Sequence, residues 1–298
     1  MDWKSRRIQT ILEAALIEDK ATSDITSALT IDPSMRAAAT ILAKQDCVVS
    51  GLGCIPQFLT LFAKLDPKTT GRFEVISHPE IFDGVHVRKG QALAVIRHNA
   101  RVILACERVI LNLMQRMSGI ATLTNQYVKA IEGTGAKVLD TRKTVPGLRT
   151  LDKYAVLCGG GHNHRLDLAD GILIKNNHIS LGGGLSVVLE RALQKRKVGQ
   201  VVQVEVRSPE ELEAALKGGA ESLLLDNMTP AQTKKAVATV RARTPKSAAN
   251  IPIESSGGIT LETIRKYALA GVDYISVGAL THSPAAVDLS MKITAELY

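Results

Sequence analysis

The stretch from Asp140 to His178 concentrates the side chains that could do chemistry. It holds six Lys and Arg residues and three of the seven histidines of the 298-residue chain, against one aromatic residue. Glycines and a Pro146-Gly147 turn interrupt it, unlike the pattern of a solvated helix face. Guanidinium and ammonium groups at this density suit the binding of a small polyanion.

Arg142 and Lys143 are the first candidates, because Asp140 and Thr141 precede them and a stiff turn follows at residues 145–147. Two solvated loop charges would be the ordinary interpretation of an Arg-Lys pair. The polar residues before it and the turn after it favour a binding site. We therefore predict that Arg142 and Lys143 face an anionic ligand.

Three glycines, residues 159–161, precede the string His162-Asn163-His164-Arg165. Glycine lets main-chain N–H groups approach an anion closely. We predict that His164 and Arg165 are anion ligands and that His162 is structural. A metal site is the weaker hypothesis, because no third His or Cys lies at ligand spacing and Arg165 would repel a cation.

Three further charges end or interrupt apolar strand patterns: Lys175, Glu205 and Asp226. Lys175 needs an anionic partner, either a protein carboxylate or a substrate. Glu205 and Asp226 are either ion-paired structural acids that hold the basic cluster together or the oxygen ligands of a Mg²⁺ site completed by water and substrate.

Two late strand-to-helix turns have the composition of phosphate-binding turns. The first contains Ser256, Gly257 and Gly258 and is predicted to lead into a helix from Leu261; the second ends at Gly278.

The elements that must position these residues alternate between strand and helix beyond Ala136. Six short apolar strands are predicted, at AKVLD, GILIKN, QVVQVEV, SLLLDN, IPIESS and DYISVG. Such alternation indicates parallel strands whose carboxyl ends share one rim, where catalytic groups collect. Six strands do not support a complete eightfold barrel. Before this region we predict an amphipathic helix, a mixed sheet and a helical bridge broken near Met114–Gly119.

Composition limits the choice of partner. A formal charge of +8 points to an anion, but aromatic residues make up only 3% of the chain, too few for a base-stacking platform. No apolar run approaches the ~18 residues of a membrane span. We favour a small acidic ligand over nucleic acid or a membrane. The four cysteines form no CxxC pair, which favours reduced thiols and a cytoplasmic location.

Several motifs in one order resemble the quinolinate phosphoribosyltransferase family. They are EDKATSDITS, CERVILNLMQRMSGIAT, DTRKTVPGLR, GGGHNHR, LIKNNH, LLDNM and ESSGGI. The resemblance implies an α/β protein of two domains: an N-terminal α/β sandwich, residues 1–116 completed by residues 281–298, and an incomplete (β/α) barrel, residues 117–280. Ser23 and Val145 depart from the family's usual residues without touching a position assigned to chemistry.

The resemblance also implies an activity: phosphoribosyl transfer from phosphoribosyl pyrophosphate to quinolinate with decarboxylation, in NAD biosynthesis. Arg142, His164, Arg165 and Lys175 would grip the quinolinate carboxylates, and Arg108 would reach in from the partner subunit of a homodimer. The remaining residues would hold the phosphoribosyl donor and Mg²⁺: Thr141, Lys143, Glu205, Asp226, Ser256, Gly257, Gly258 and Gly278. Within this set, Lys143, Lys175, Glu205 and Asp226 would be catalytic, and Glu205 and Asp226 would bind the metal.

Two alternatives stay open at this point. One is a paralogous phosphoribosyltransferase of the same fold that acts on another acceptor. The other is a non-catalytic protein that binds anions or nucleic acid. Glu205 and Asp226 argue against the second, since a simple phosphate or RNA binder has little reason to place acids in its own binding rim.

Overall fold

The computed structural model describes residues 1–68, 71–243 and 250–296. The chain divides into two compact units. Unit one comprises Met1–Asn125, Thr144–Gly160 and Ser283–Tyr298, and unit two comprises Gln126–Lys143 and Gly161–His282. The segment Thr144–Gly160, which the sequence-based boundaries placed with the barrel, thus groups with unit one.

Unit one contains an antiparallel sheet of four described strands. Their order is β12, β1, β5, β3, and a separate short pair is formed by β2 and β4. The strands are β1 (Arg36–Ala43), β2 (Cys47–Val48), β3 (Glu74–Ile76), β4 (His86–Val87), β5 (Ala92–Asn99) and β12 (Leu289–Ala295). Alternate residues of β1 are buried, as expected for a strand with one face on the core.

The helices of unit one supply the rest of its core. They are α1 (Arg6–Glu18), α2 (Ile25–Thr30), α3 (Cys54–Leu65), α5 (Arg149–Cys158) and most of α4 (Ala100–Ala130), with a 3₁₀ turn at Ala21–Ser23. The predicted amphipathic helix is confirmed by α1, which buries Ile8, Leu12 and Leu16 at helical spacing. Asp24 caps α2 by accepting a hydrogen bond from the Ser27 amide at 3.1 Å.

The predicted break near Met114–Gly119 is wrong, because α4 runs without interruption from Ala100 to Ala130. Gly119 serves close packing instead of helix termination. A Cβ at this position would lie 2.2 Å from the carbonyl oxygen of Ala285, so only glycine leaves room for that segment. The glycine that resembled a helix break in the sequence thus makes room for a close backbone contact.

Unit two is built on a sheet of six described strands, all parallel, in the order β6, β11, β10, β9, β8, β7. The strands are β6 (Lys137–Leu139), β7 (Ile172–Ile174), β8 (Val202–Val206), β9 (Ser222–Asp226), β10 (Ile253–Ser256) and β11 (Tyr274–Ser276). All six predicted strands are confirmed, and their number in the described chain agrees with an incomplete barrel.

Helices follow the strands of unit two. They are α6 (Asn176–Gly182), α7 (Leu185–Lys195), α8 (Pro209–Lys217), α9 (Pro230–Arg243), α10 (Ile264–Ala268) and α11 (Ala279–His282). The start of α8 shows why the sequence folds this way. Ser208 accepts a hydrogen bond from the Glu211 amide at 3.2 Å, and Pro209 occupies the first helical position.

The alternation along β8 separates two environments in unit two. Val202, Val204 and Val206 are fully buried on one face, while Gln203 and Glu205 lie on the other. The apolar face forms the core, and the polar face is left for a ligand. No helix among the described residues is both long and apolar enough to cross a membrane.

Candidate active site

A cavity of about 560 Å³ opens within unit two at the carboxyl ends of the strands. Its lining brings together twelve residues singled out from the sequence: Thr141, Arg142, Lys143, His164, Arg165, Lys175, Glu205, Asp226, Ser256, Gly257, Gly258 and Gly278. The strand register explains the convergence. Asp226 lies opposite Ser256, Ser256 opposite Ser276, and Ser276 opposite Leu139, so the ends of four strands form one line.

Two guanidinium groups crowd one side of the cavity. Burial, together with the positive charge of Arg142, lowers the pKa of Arg165 from its ordinary value. The Nε of Arg142 is buried and has no hydrogen-bond partner among the described residues. Like charges held close together and a buried donor without an acceptor both favour the binding of an anion.

The loop that carries His164 and Arg165 is fixed to the end of β6. The Asp140 amide donates to the carbonyl of His162 at 3.1 Å, and the His162 amide donates to the carbonyl of Val138 at 2.8 Å. The carboxylate of Asp140, which is fully buried, accepts from the His164 amide at 2.8 Å. His162 thus holds the loop through its main chain, and its exposed side chain is outside the cavity lining.

Glu254 is a cavity residue that sequence reasoning missed. It lies on β10, and its Oε2 accepts hydrogen bonds from His164 Nε2 at 3.2 Å and Gln203 Nε2 at 2.8 Å. Burial alone would raise the pKa of Glu254, but the hydrogen bonds it accepts, led by the one from His164, outweigh burial and lower it. The signal available was an acid inside the apolar strand pattern IPIESS, of the same kind as the one that identified Glu205.

Lys175 follows β7 directly, and its exposed side chain lines the cavity. Its apolar neighbours in the sequence suggested a buried charge, but the Lys175 side chain is exposed. The ring Nδ1 of His178 accepts from the Lys175 amide at 2.9 Å and fixes the main chain at this strand end. His178 thereby supports Lys175 without lining the cavity.

Lys143 lies beside Gly278 in the same cavity. A Cβ on residue 278 would lie 3.1 Å from Lys143 Cδ and 3.1 Å from a ring carbon of His282. Thr281 Oγ1 also donates to the carbonyl of Lys143 at 2.8 Å. The missing side chain at position 278 gives the lysine its space, and Thr281 fixes its backbone.

Arg207 bridges Glu205, the penultimate residue of β8, and Asp226, the last residue of β9. Arg207 Nη2 donates to Glu205 Oε1 at 3.1 Å, and Arg207 Nε donates to Asp226 Oδ2 at 3.0 Å. Each acid is thus ion-paired with Arg207, a residue that was not a candidate from the sequence. They also fit a hard cation, because two carboxylates at neighbouring strand ends supply the oxygen donors that Mg²⁺ prefers. No group of three His, Cys, Asp or Glu side chains suited to a metal occurs in the described ranges.

The glycine turn after β10 packs against the turn after β9. Gly257 has a φ of 97°, and a Cβ there would meet Asn227 Oδ1 at 2.2 Å, so glycine is required for two reasons. The helix predicted from Leu261 begins later, at Ile264, and has only five residues. The turn therefore offers an anion its own main-chain amides and serine hydroxyl instead of a helix N-terminus.

Arg108 is not brought into the cavity. It lies on α4 in unit one, with an exposed side chain, and it is absent from the cavity lining.

A cationic cavity at the carboxyl ends of a parallel α/β sheet, flanked by glycine turns and paired acids, defines the class of barrel-type proteins that bind phosphorylated or carboxylated small molecules. The family models for the N-terminal and C-terminal domains of quinolinate phosphoribosyl transferase match residues 24–118 and 120–292. The chain therefore belongs to the quinolinate phosphoribosyltransferase family.

Individual relatives agree. The chain is 39% identical to the probable nicotinate-nucleotide pyrophosphorylase (carboxylating) of Bacillus subtilis, covering 97% of this chain and 94% of that protein. It is 39% identical to the mitochondrial quinolinate phosphoribosyltransferase (decarboxylating) 2 of Nicotiana glauca, covering 97% and 83%. The crystal structure of NadC from Streptococcus pyogenes superposes with a TM-score of 0.88 at 35% identity, covering 99% of both chains.

Proposed function

We propose that this chain transfers a phosphoribosyl group from phosphoribosyl pyrophosphate to quinolinate and releases CO₂, giving nicotinate mononucleotide and pyrophosphate. The observation that carries the proposal is the joint presence, in one cavity of about 560 Å³, of a cationic cluster and a pair of acids. A dicarboxylate suits the cations, and a metal-bound diphosphate suits the acids. A paralogue acting on another acceptor would have less need of the full set of cations.

Quinolinate is a pyridine with two adjacent carboxylates. Arg142, Arg165 and Lys175 supply the positive charge that such a dianion needs, with His164 beside them. The unpartnered Nε of Arg142 is a donor ready for a carboxylate oxygen. Binding the dianion between Arg142 and Arg165 would also relieve their mutual repulsion.

The phosphoribosyl donor would occupy the opposite side of the cavity. Thr141, Lys143 and Ser256 provide a hydroxyl or ammonium group for its phosphates, and Gly257, Gly258 and Gly278 leave main-chain amides accessible. Glu205 and Asp226 would hold Mg²⁺ after release from Arg207. A bound Mg²⁺ would neutralise the charge that develops on the departing pyrophosphate.

The transfer and the decarboxylation need no further cofactor. The C1′–O bond of the donor breaks and its electron pair leaves with pyrophosphate, while the pyridine nitrogen forms the new bond to C1′. Lys143 stabilises the negative leaving group, and the acids tolerate positive charge on the ribose. The N-ribosylated ring is then cationic, so it accepts the electron pair released when the 2-carboxylate departs as CO₂. A proton then replaces CO₂ at that carbon.

The assembly belongs to the same proposal. Arg108 lies on an exposed part of α4, where it is available to a neighbouring molecule. We propose a homodimer in which Arg108 of the partner subunit completes the quinolinate site. We also propose a cytoplasmic location, which the four free cysteines support.

A direct assay tests the proposed activity. Purified protein is mixed with Mg²⁺, quinolinate and phosphoribosyl pyrophosphate, and nicotinate mononucleotide and CO₂ are measured. Nicotinate, which lacks the 2-carboxylate, is the matched substrate control and should give little product. Equal turnover of nicotinate, or none of either substrate, would contradict the proposal.

A further inference from the structure

Glu254 connects elements that are not neighbours in the sheet of unit two. Gln203, one of its donors, lies on β8, which β9 separates from β10, and His164 lies in the loop fixed to β6. Its side chain is 4% exposed, and that of His164 is 13% exposed. The network therefore crosses the floor of the cavity and ends at the residue beside Arg165.

The hydrogen bonds of His164 determine which ring nitrogen carries the proton. The Arg165 amide donates to His164 Nδ1 at 2.8 Å, so Nδ1 presents its lone pair. The hydrogen of the neutral ring is then on Nε2, which faces Glu254 Oε2 at 3.2 Å. The other tautomer would place two N–H groups against each other at Arg165 and leave Glu254 without this donor.

Stability alone gives little reason for an acid at position 254. The second oxygen of Glu254 is buried and no described donor meets it in hydrogen-bonding geometry, although the Ser276 hydroxyl contributes to lowering the pKa of this carboxyl. A buried carboxylate with an unsatisfied oxygen is costly, and an amide or apolar side chain would avoid that cost. The acid also lies in the lining of a cavity whose other residues suit an anion.

We propose that Glu254 is a positioning residue that holds His164 in the Nε2–H tautomer, so that His164 Nδ1 fixes the main chain of Arg165 and aims its guanidinium at a quinolinate carboxylate. His164 then acts on the substrate through Arg165. The link to quinolinate depends on the proposed function, whereas the tautomer does not.

Nitrogen chemical shifts report the tautomer of His164 in ligand-free protein labelled with ¹⁵N-histidine. The signals of His164 are assigned by their loss in a His164→Asn variant. Wild type should show the Nε2–H form. Glu254→Leu removes the acceptor that holds the ring in place, so the ring should turn away from the Arg165 amide and the nitrogen shifts should move towards the tautomer mixture of a solvated histidine. Glu254→Gln, whose carbonyl oxygen still accepts from Nε2, should keep the original form. Glu213→Gln, a change in the exposed Arg243–Glu213 ion pair between α9 and α8, is the matched control and should leave the spectrum unchanged.

Calorimetry with each substrate alone tests the consequence. Glu254→Leu should weaken quinolinate binding by about tenfold or more, the scale known for carboxylates that orient metal-binding histidines, and should leave phosphoribosyl pyrophosphate binding unchanged. Glu254→Gln should recover most of the affinity. Adding Glu254→Leu to His164→Asn should weaken quinolinate binding no further than His164→Asn does alone, and Glu254→Ala takes the place of Glu254→Leu should the leucine variant not fold.

An unchanged tautomer in a folded Glu254→Leu variant, or an equal loss of affinity for both substrates, would overturn the positioning role. A further loss of quinolinate affinity when Glu254→Leu is added to His164→Asn would overturn the transmission through His164. If wild type itself binds no quinolinate, the proposed function fails, and the tautomer measurement still decides the role of Glu254.

Discussion

Arg207 and Asp226 form an ion pair at the edge of the cavity, with Nε and Oδ2 3.0 Å apart. The same guanidinium reaches Glu205 at 3.1 Å, and its side chain is 47% exposed. One cation therefore occupies oxygens of both acids proposed to hold Mg²⁺. A metal that binds through these oxygens would compete with Arg207.

Arg207→Gln should therefore raise the affinity for Mn²⁺, a spectroscopic substitute for Mg²⁺. The expected gain is about two- to fivefold, since a half-exposed ion pair contributes only ~0.2–1 kcal/mol. Electron paramagnetic resonance measures the free Mn²⁺. Arg207→Lys, which keeps the charge, should change the affinity less; weaker binding in the glutamine variant would mean that Arg207 orients the acids instead of competing for them.

Arg142→Ala should reduce quinolinate affinity by about ten- to a hundredfold, the effect of losing one hydrogen bond between charged groups. The thermal unfolding temperature should stay near that of wild type, because Arg142 Nε has no partner in the described protein to lose. Isothermal titration calorimetry measures the binding. Arg191→Ala, which removes an exposed arginine from α7, is the control, and an equal loss in that variant would point to a general charge effect.

Arg108→Ala should inactivate the enzyme when both subunits of a homodimer carry the change. Activity should return in part when the variant is paired with a subunit that still has Arg108. A heterodimer of Arg108→Ala with Lys143→Ala contains one site with both native residues if Arg108 acts across the interface. Differently tagged subunits are purified as heterodimers and assayed for nicotinate mononucleotide. Each variant alone is the control; no recovery in verified heterodimers would show that Arg108 does not act in the partner's site.

Arg116→Leu should lower the free energy of unfolding by about 3 kcal/mol, because it leaves a buried charge without its partner. Arg116 binds Asp152 through two hydrogen bonds of 2.9 and 2.8 Å, and the Asp152 side chain is 0% exposed. Urea denaturation measures the loss. Asp152→Leu with Arg116→Met should recover stability, and Glu74→Ala, in an exposed pair, should cost less than ~1 kcal/mol.

His98 should make the protein less stable as the solution becomes acidic. Burial, helped by the charge of Arg36, lowers the pKa of His98 in the folded state. The unfolded chain therefore binds a proton more readily, so stability is full above the ordinary histidine pKa and falls as pH decreases below it.

Urea denaturation of wild type and His98→Leu at about pH 7 and about pH 5.5, on either side of the ordinary histidine pKa, measures this effect. The leucine variant should lose less stability on acidification than wild type. His78→Gln, at an exposed position, should retain the wild-type dependence. Parallel behaviour of wild type and His98→Leu would assign the acid sensitivity to other groups.

The sequence predicted the parallel part of the fold well because its patterns are local. In β8, Val202, Val204 and Val206 alternate with Gln203 and Glu205, and this alternation alone indicates which side chains share the ligand face. Strand ends meet at one rim in such folds, so residues as far apart as Thr141 and Gly278 could be placed in one cavity.

What the sequence concealed depends on contacts between distant segments. Gly119 resembles a helix break until the carbonyl of Ala285 is seen against it. Arg207 resembles an ordinary exposed charge, and only the positions of Glu205 and Asp226 reveal its two partners. Glu254 carried a visible signal, but its link to His164, ninety residues earlier, is not encoded in any local pattern.

The pairing of β12 with β1 has a consequence for synthesis on the ribosome. β1 pairs with β5 on one side and with β12 on the other, and the whole of unit two separates β5 from β12 in the chain. While unit two is being translated, one edge of β1 therefore lacks its native neighbour. An open strand edge can pair with a strand of another molecule, so the nascent chain is most exposed to misassembly, and most in need of chaperone protection, during that interval.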